Sequence, residues 1–414
     1  MSQSENDQPR FWQPTTENRR LNSMIIGFDA SRAFVNKRTG TENYSYQLLT
    51  HLAKIDHENT YKVFLHPGIF DPNQLKGWPA NFKFLRLNYK FLWTQVGLAG
   101  QTFIDHLDLL FVPSHTLPLV RKPGLKTVMT VHDLGAEYLP QTHQLKQQLY
   151  LKLMTYYQLK SAAHLIAVSE ATKRDITKKA GIPADKISVI YEGYDEKLFH
   201  PLKNDALIHS LTDYNLLPKT YFLFVGTIQP RKNLEQLIKA YALFLNNRLT
   251  PDSQHPDQLQ NHDPTSIPEL VLAGSRGWLT EDIYSLPAKF GIGTRVKFLG
   301  YVPDKILPAL YGGAIAFFFP SLYEGFGLPV LEAMACGTPV ITSGVSSLPE
   351  VGGKAALYVD PNSTEEISRK MVLLASNHIP GATAAKKRFD QVKKFSWDKC
   401  AAQTLKLFQK IASE

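Results

Sequence analysis

Two glutamates eight positions apart are well placed to bind a ligand rich in hydroxyl groups. Glu324 stands directly before the glycine-rich turn Gly325-Phe326-Gly327, and Glu332 follows it within the stretch 321–343, SLYEGFGLPVLEAMACGTPVITS. Pro329 suits the first position of a helix, whose initial backbone N–H groups have no intrahelical partner. Both carboxylates can then face one cleft edge and accept hydrogen bonds from sugar hydroxyls. The glycines and the apolar strand before them favour this role over a loop carboxylate and a solvated helix residue.

A pair of adjacent cations, Arg231 and Lys232, is suited to binding a diphosphate. The surrounding stretch, FVGTIQPRKNLEQLIKA at 224–240, predicts a strand ending at Gly226 and a helix beginning at Asn233. Cations just before a helix N-terminus add to the positive end of the helix dipole, and both attract phosphate. They also stabilise a departing diphosphate, on which negative charge grows in the transition state. The alternative is a solvated basic turn.

Two further candidates lie after predicted strands. His132 follows the apolar strand TVMTV and opens a loop at its carboxyl end, where α/β folds bind ligands. The alternative is a structural histidine that is satisfied by its own surroundings. Gly40, in KRTGTENYSYQLL at 37–49, gives a flexible turn before a helix, although a plain helix cap by Thr41 explains the same pattern.

Short apolar strands alternate with helices along the chain. The first series of strands is predicted at 24–30, 61–66, 82–87, 109–113, 127–134, 164–169 and 187–193. After a polar, irregular stretch at 195–220, a second series is predicted at 221–227, 268–274, 295–302, 314–321, 338–344 and 356–360. Strands that are apolar throughout and separated by helices form parallel sheets covered on both faces. The predicted fold is therefore α/β, with two Rossmann-like doubly wound domains and a deep cleft between them.

The composition limits the class of protein and its location. Two cysteines in 414 residues do not form a disulfide framework, and the first 22 residues lack the apolar segment of a signal peptide. No apolar run approaches the roughly 20 residues that a membrane-spanning helix needs. We expect a cytoplasmic protein, with peripheral contact to the inner face of the membrane left open. The net charge of +9 is spread along the chain, which argues against a nucleic-acid binder.

The pattern Glu324-Gly-Phe-Gly-Leu-Pro-x-x-Glu332, followed by Ala-x-Ala-Cys-Gly-x-Pro-Val, resembles the Glu-x7-Glu signature of the retaining glycosyltransferases of family 4, which have the GT-B fold. The resemblance extends from about Met24 to the C-terminal helix. It implies the following division of the chain: a disordered tail at 1–22, an acceptor domain at 23–200, a nucleotide-sugar donor domain at 201–394, and a C-terminal helix at 395–414 that packs back on the N-terminal domain.

The same resemblance implies a role for each motif. Glu324 would hold the donor sugar, and Glu332 would hold the ribose of the nucleotide. Arg231 and Lys232 would grip the diphosphate, and His132 would contact the sugar near its reactive centre. The further donor-binding positions are Gly40, Gly226, Tyr301, Val302, Gly325, Phe326, Gly327 and Leu328.

We expect transfer of a hexosyl group, with retention, from a nucleoside diphosphate sugar to a hydroxyl of a glycan or lipid-linked acceptor. The segments VHDL and YEGYD (191–195) are similar to mannosyltransferases, which makes GDP-mannose the first choice of donor and a UDP-hexose the second. No Asp-x-Asp motif is present, so neither a metal nor another cofactor is expected. The alternatives are a UDP-hexose-dependent glucosyltransferase, a sugar phosphorylase or epimerase of similar fold, and a catalytically silent protein that binds sugar nucleotides.

Overall fold

The computed structural model describes residues 23–35, 38, 40–68, 72–114, 116–134, 154–249, 267–278, 280–376 and 381–414. Three predicted segments lie wholly or largely outside these residues. They are the predicted tail at 1–22; the stretch 249–268, whose polar, proline-rich composition predicts a surface insertion; and the first part of 144–160, where the residue pattern predicts a helix.

Seven parallel strands form the sheet of the N-terminal domain. They are β1 (Ile25–Asp29), β2 (Thr60–Leu65), β3 (Phe82–Arg86), β4 (Leu109–Val112), β5 (Lys126–Val131), β6 (His164–Ala167) and β7 (Ile187–Val189). Their order in the sheet is β3-β2-β1-β4-β5-β6-β7. Every residue of β4 and β6 is buried, as expected for strands covered on both faces. The helices of this domain are α1 (Gly40–Ile55), α2 (Ala99–Ile104), α3 (154–161) and α4 (Glu170–Ala180).

Six parallel strands form the second sheet. They are β8 (Tyr221–Val225), β9 (Glu269–Ala273), β10 (Val296–Gly300), β11 (Ala316–Phe319), β12 (Val340–Ser343) and β13 (Leu357–Val359), in the order β10-β9-β8-β11-β12-β13. The helices after α4 are α5 (Asn204–Thr212), α6 (Leu234–Leu249), α7 (Glu281–Lys289), α8 (Leu307–Gly313), α9 (Leu328–Ala335), α10 (Leu348–Gly352), α11 (Thr364–Ala375), α12 (Ala382–Val392) and α13 (Trp397–Ser413). The predicted pair of doubly wound parallel α/β domains is confirmed.

Each sheet reverses its strand order at one point. The reversal lies between β1 and β4 in the first sheet and between β8 and β11 in the second. At such a point the loops leaving two adjacent strands diverge to opposite faces, and the crevice between them is where open α/β sheets bind ligands. The loop after β8 carries Arg231 and Lys232, and the loop after β11 carries Glu324. Adjacency of β8 and β11 therefore brings two distant sequence motifs together.

The last helix, α13, packs against the N-terminal domain. Its Trp397 ring lies edge-on to Tyr44 of α1, with ring centroids 5.8 Å apart, and its Phe408 ring lies 5.0 Å from Phe111 of β4. Both α13 residues are buried. The chain therefore crosses between the two domains twice, once before β8 and once before α13.

Two local predictions were wrong. The stretch 195–220 was expected to be irregular, but it contains α5, because Leu207 and Leu211 are buried on one face of that helix and pack against α8. Asn233 was expected to begin the next helix as its cap. It instead has a left-handed backbone, and its side-chain amide donates to the carbonyls of Pro320 and Pro361.

No helix in the described part of the chain is long and apolar enough to cross a bilayer.

Candidate functional site

The loop between β11 and α9 is held in a fixed shape by serine side chains. Ser347 donates to the carbonyls of Glu324, at 2.9 Å, and of Phe326, at 2.7 Å. Gly327 has a φ of +112°, and a Cβ there would come within 2.9 Å of Leu348. Because side chains other than glycine rarely adopt this backbone, the position requires glycine. The helix α9 then begins at Leu328.

Lys232 and Glu324 form a buried ion pair at the switch point of the second sheet. The Nζ of Lys232 lies 2.6 Å from the Oε1 of Glu324, and the two side chains are only 10% and 8% exposed. The ammonium also lies 4.8 Å from the ring centroid of Phe319, on the face of the ring. Burial lowers the pKa of Lys232, and Glu324 counteracts that shift. Removing either partner would leave a buried charge without compensation.

Arg231 reaches across to the other domain. Its Nη1 donates to the Oδ2 of Asp133 at 2.8 Å, and both side chains are partly exposed. Burial acts to lower the pKa of Arg231, but the carboxylates of Glu324 and Asp133 outweigh it, so the pKa is raised. The guanidinium is therefore a permanent cation at the boundary of the two domains.

The backbone of the first domain directly contacts Gly325, in the loop between β11 and α9. A Cβ on Gly325 would lie 1.9 Å from the carbonyl oxygen of His132, so only glycine allows this approach. The carbonyl of Gly325 accepts a hydrogen bond from Ser169 at 2.7 Å. Ser169 also caps α4 through the backbone N–H of Thr172. The glycine at position 325 therefore sets how closely the two domains meet.

The side chain of His132 is held by the protein at both ring nitrogens. Nδ1 lies 3.1 Å from the Oε1 of Glu192, and Nε2 lies 3.0 Å from the carbonyl oxygen of Pro113. The contact of His132 with a donor sugar stays a prediction. In this arrangement its backbone carbonyl, rather than a ring nitrogen, is the hydrogen-bonding group nearest to the loop of Gly325.

Glu332, on α9, is hydrogen-bonded to a partner outside the Lys232–Glu324 pair. Its Oε2 accepts a hydrogen bond from the hydroxyl of Tyr311, on α8, at 3.0 Å. Burial, together with the nearby carboxylates of Asp304 and Asp195, raises the pKa of Glu332 to about 7, whereas the hydrogen bond from Tyr311 acts to lower it. The carboxyl group therefore changes its charge close to neutral pH.

The remaining predicted positions differ in what they offer a ligand. Gly226 has a φ of +151°, and a Cβ there would lie 3.8 Å from Lys232, so its backbone runs beside the ion pair. Tyr301 is 49% exposed, whereas the side chain of Val302 is buried. A Cβ on Gly40 would meet no atom within 4 Å, so no neighbour demands glycine there. The ring of Phe326 is buried.

Sequence reasoning missed a second set of contacts between the domains, which centres on Glu350 of α10. Its two carboxylate oxygens accept hydrogen bonds from the backbone N–H groups of Glu170 and Ala171, each at 2.8 Å, at the start of α4. The hydroxyl of Tyr191 donates to the same carboxylate at 3.2 Å. A carboxylate at a helix N-terminus is favoured by the helix dipole. The acceptors and donors lie about 160 to 180 residues apart, and no local pattern signals such pairing.

The raised pKa of Glu332 has a consequence for stability. The carboxyl group of Glu332 ionises near pH 4.5 in the unfolded chain but only near pH 7 in the folded protein. The free energy of unfolding is therefore highest below pH 4.5 and falls as the pH rises through about 7. We expect the unfolding free energy of the wild type, relative to Glu332→Gln, to fall between pH 5 and pH 8 by ~1.4 kcal/mol for each unit of the shift. Urea unfolding at both pH values measures this. Glu365→Gln, on the exposed side of α11, is the control, and an equal pH dependence in wild type and E332Q would contradict the shift.

Two family models match the chain in succession. Residues 38–198 match the model described as Glycosyltransferase Family 4, and residues 215–393 match Glycosyl transferases group 1. The two matches correspond to the two sheets described above.

Relatives and solved structures agree with these matches. The chain is 34% identical over 287 residues to the O-antigen chain mannosyltransferase B of Escherichia coli, covering 69% of this chain and 70% of that protein. It is 29% identical over 292 residues to the serotype-specific mannosyltransferase WbdA of Escherichia coli, covering 69% of this chain but only 34% of that longer protein. The sucrose-phosphate synthase of Thermosynechococcus elongatus has the same fold, with a TM-score of 0.71 at 20% identity, over 94% of this chain and 99% of that one. The chain thus belongs to the group 1 and family 4 glycosyltransferases and is a glycosyltransferase of the GT-B fold.

Proposed function

We propose that the chain is a retaining mannosyltransferase, which moves mannose from GDP-mannose to a hydroxyl of a glycan or lipid-linked acceptor. The observation that carries the proposal is the buried Lys232–Glu324 ion pair, with Arg231 next in the chain to Lys232. Glu324 directly precedes the turn Gly325-Phe326-Gly327. The group combines two cations for a diphosphate with a carboxylate for sugar hydroxyls. Glu332 is the proposed ligand of the ribose.

The cations act on the leaving group. As the bond between the anomeric carbon and the phosphate oxygen breaks, negative charge grows on the departing diphosphate, and Arg231 and Lys232 stabilise it. The salt bridge of Arg231 to Asp133 is partly exposed, so a diphosphate can compete for the guanidinium. Lys232 holds the carboxylate of Glu324 in position to accept hydrogen bonds from hydroxyl groups of the sugar. The residues assigned to catalysis on these grounds are Arg231, Lys232 and Glu324; His132 is proposed as the fourth from the family resemblance alone.

The proposed route to retention is a front-face transfer. The acceptor oxygen forms its bond to the anomeric carbon on the face from which the diphosphate leaves. The acceptor proton passes to an oxygen of the leaving phosphate, so no protein carboxylate is needed as a base. We propose that the reaction needs no metal, since the sequence has no Asp-x-Asp motif and two protein cations can take the charge role.

The choice of mannose rests on the relatives. Of two proteins similar to this chain, the one at 34% identity is named an O-antigen chain mannosyltransferase and the one at 29% identity a serotype-specific mannosyltransferase. We propose the same sugar here and a growing cell-surface polysaccharide as acceptor. The second candidate for the donor is a UDP-hexose, which is also the second choice on the sequence alone.

The donor can be identified by ligand-dependent stabilisation. A ligand that binds only the folded state raises the melting temperature, so GDP-mannose should raise it more than UDP-glucose, GDP alone or mannose alone. Arg231→Ala should weaken GDP-mannose binding in calorimetry by roughly 10- to 100-fold, because one charged hydrogen bond of about 1.5–3 kcal/mol is lost. Arg369→Ala, on the exposed side of α11, is the control. Stabilisation by UDP-glucose alone would reject GDP-mannose, and no response to any sugar nucleotide would reject the function.

We further propose that the chain works in the cytoplasm against the inner face of the membrane, through an apolar face on the first domain. This 91–104 face comprises Phe91, Leu92, Val96, Phe103 and Ile104, which are 45% to 87% exposed. The first two directly precede the continuous helical stretch Trp93–Ile104, and the other three lie in it. Six cations and no acidic residue occur in 82–104 and 116–126. Exposed apolar side chains flanked by cations are complementary to an anionic lipid surface.

Vesicle binding tests this surface. The wild type should co-sediment with phosphatidylglycerol-containing vesicles more than with pure phosphatidylcholine, and less at high salt. The double variant Phe103→Ser, Ile104→Ser should lose roughly tenfold or more in affinity, because each side chain buries apolar area in the bilayer interface. Leu217→Ser, an equally exposed leucine of the second domain, should bind as the wild type does. Equal binding by the double variant, or none by the wild type, would contradict the assignment.

A further inference from the structure

The pair formed by His132 and Glu192 lies at the carboxyl edge of the first sheet. His132 follows β5, and Glu192 comes three residues after the end of β7. Their side chains are 14% and 5% exposed, and 60 residues of chain separate them. Neither the family matches nor the motifs of the sequence assign a role to Glu192.

The partners of the imidazole determine its protonation. The carbonyl oxygen of Pro113 can only accept, so the Nε2 of His132 carries a hydrogen. In the arrangement that we propose, Glu192 is a carboxylate, which only accepts, so the Nδ1 that faces it carries a hydrogen as well. The ring is then an imidazolium, bonded on both sides. Burial acts to lower the pKa of His132, but the hydrogen bond and charge of Glu192 outweigh it, so the pKa is raised.

The elements packed around the ring supply three other titratable groups. Tyr44 of α1 meets the ring edge-on with centroids 4.7 Å apart, Cys400 of α13 faces Glu192, and Asp133 follows in the chain. Burial raises the pKa of Tyr44 and of Cys400, so both are neutral at neutral pH. Asp133 adds to the effect of Glu192 but pairs with Arg231. Glu192 is the group among these that bonds the ring.

The imidazole in turn fixes the end of β5. This end meets the loop at 320–327 between β11 and α9, the donor loop of the proposed reaction. The backbone carbonyl of His132 lies against Gly325 and accepts a hydrogen bond from Thr172 at 3.2 Å. The next residue, Asp133, bonds Arg231 across the domain boundary. A rotation of the ring would release the backbone that carries both contacts, because the ring is tied to β4 through Pro113 and to the segment after β7 through Glu192.

We infer that Glu192 is a positioning residue for the transfer reaction: it holds His132 as a doubly hydrogen-bonded cation and so fixes the His132 carbonyl and the Asp133 carboxylate against the donor loop. This inference rests on the proposed function. Glu192 does not touch the substrate, and its effect is exerted through His132. The transfer rate then depends on His132 remaining charged, so kcat declines on the alkaline side as the ring loses its proton.

The test combines a ring titration with a rate profile. In protein labelled with ¹⁵N-histidine, the ring signal of His132, assigned by its loss in His132→Asn, should titrate above the usual range near 6.5. His164 serves as the internal reference, because burial lowers its pKa. Glu192→Gln should move the His132 titration, and the alkaline limb of kcat, down together by roughly one pH unit or more. Glu192→Asp, which keeps the carboxylate, should restore most of both.

The outcomes separate this inference from the proposed function. Glu196→Gln, an exposed glutamate in the same segment, should leave both profiles unchanged. A His132 titration at or below that of His164 in the wild type would overturn the inference even if Glu192→Gln does not fold. If Glu192→Gln lowers the pH at which His132 titrates but leaves the pH profile of kcat unchanged, Glu192 has a purely structural role, and the inference is overturned as well. If the wild type transfers no sugar from any nucleotide sugar, the proposed function is wrong. The titration of the His132 ring needs no substrate, so it can still be measured in that case.

Discussion

The buried ion pair between Lys232 and Glu324 is the interaction on which the rest of the site depends. Taking two charges out of water costs several kcal/mol for each ion, and their attraction offsets that cost only when the geometry is held closely. The surroundings provide that restraint. The backbone N–H of Leu322 donates to the carbonyl of Arg231 at 2.9 Å, and the side chain of Asn233 ties the same turn to Pro320. A charged pair held in this way is ready for a polar ligand before the ligand arrives.

At the site the domains meet through polar contacts around glycine, beside an aromatic contact of Phe326 with Tyr191 and Phe395. Ser169, Glu350 and Arg231 each bond across the boundary, and Gly325 allows the backbones to touch. The hydrogen bond of Ser169 is buried, whereas the pair of Arg231 with Asp133 is partly exposed, so the second contact is the one that water or a ligand can replace. Separation of the domains would free Arg231 from Asp133 and expose the loop of Glu324. Re-docking around a sugar nucleotide would then exclude water from the reacting centre.

The sequence predicted the parts of this molecule that local pattern determines. Thirteen apolar strand segments separated by helices were sufficient for the two parallel sheets, and the glycines beside Glu324 marked the loop that meets the other domain. It failed where a residue's partner lies far away in the chain. The segment with Leu207 and Leu211 forms a helix because α8 packs against these two side chains. The side chain of Asn233 does not cap α6 but donates to carbonyls 87 and 128 residues away in the chain. Glu192 and Glu350 have no local signature, since their roles come from strand order and domain contact.

A double-mutant cycle on Lys232 and Glu324 tests the central claim most directly. The rate of transfer from the nucleotide sugar would be compared for Lys232→Met, Glu324→Gln and the combined variant, each confirmed as folded. Each single change should lower kcat/KM by roughly 100-fold or more, and the double variant should be no worse than the poorer single one, because the two side chains act as a unit. Losses that simply multiply, or a single variant with a near-normal rate, would show that the ion pair is not the centre of the site.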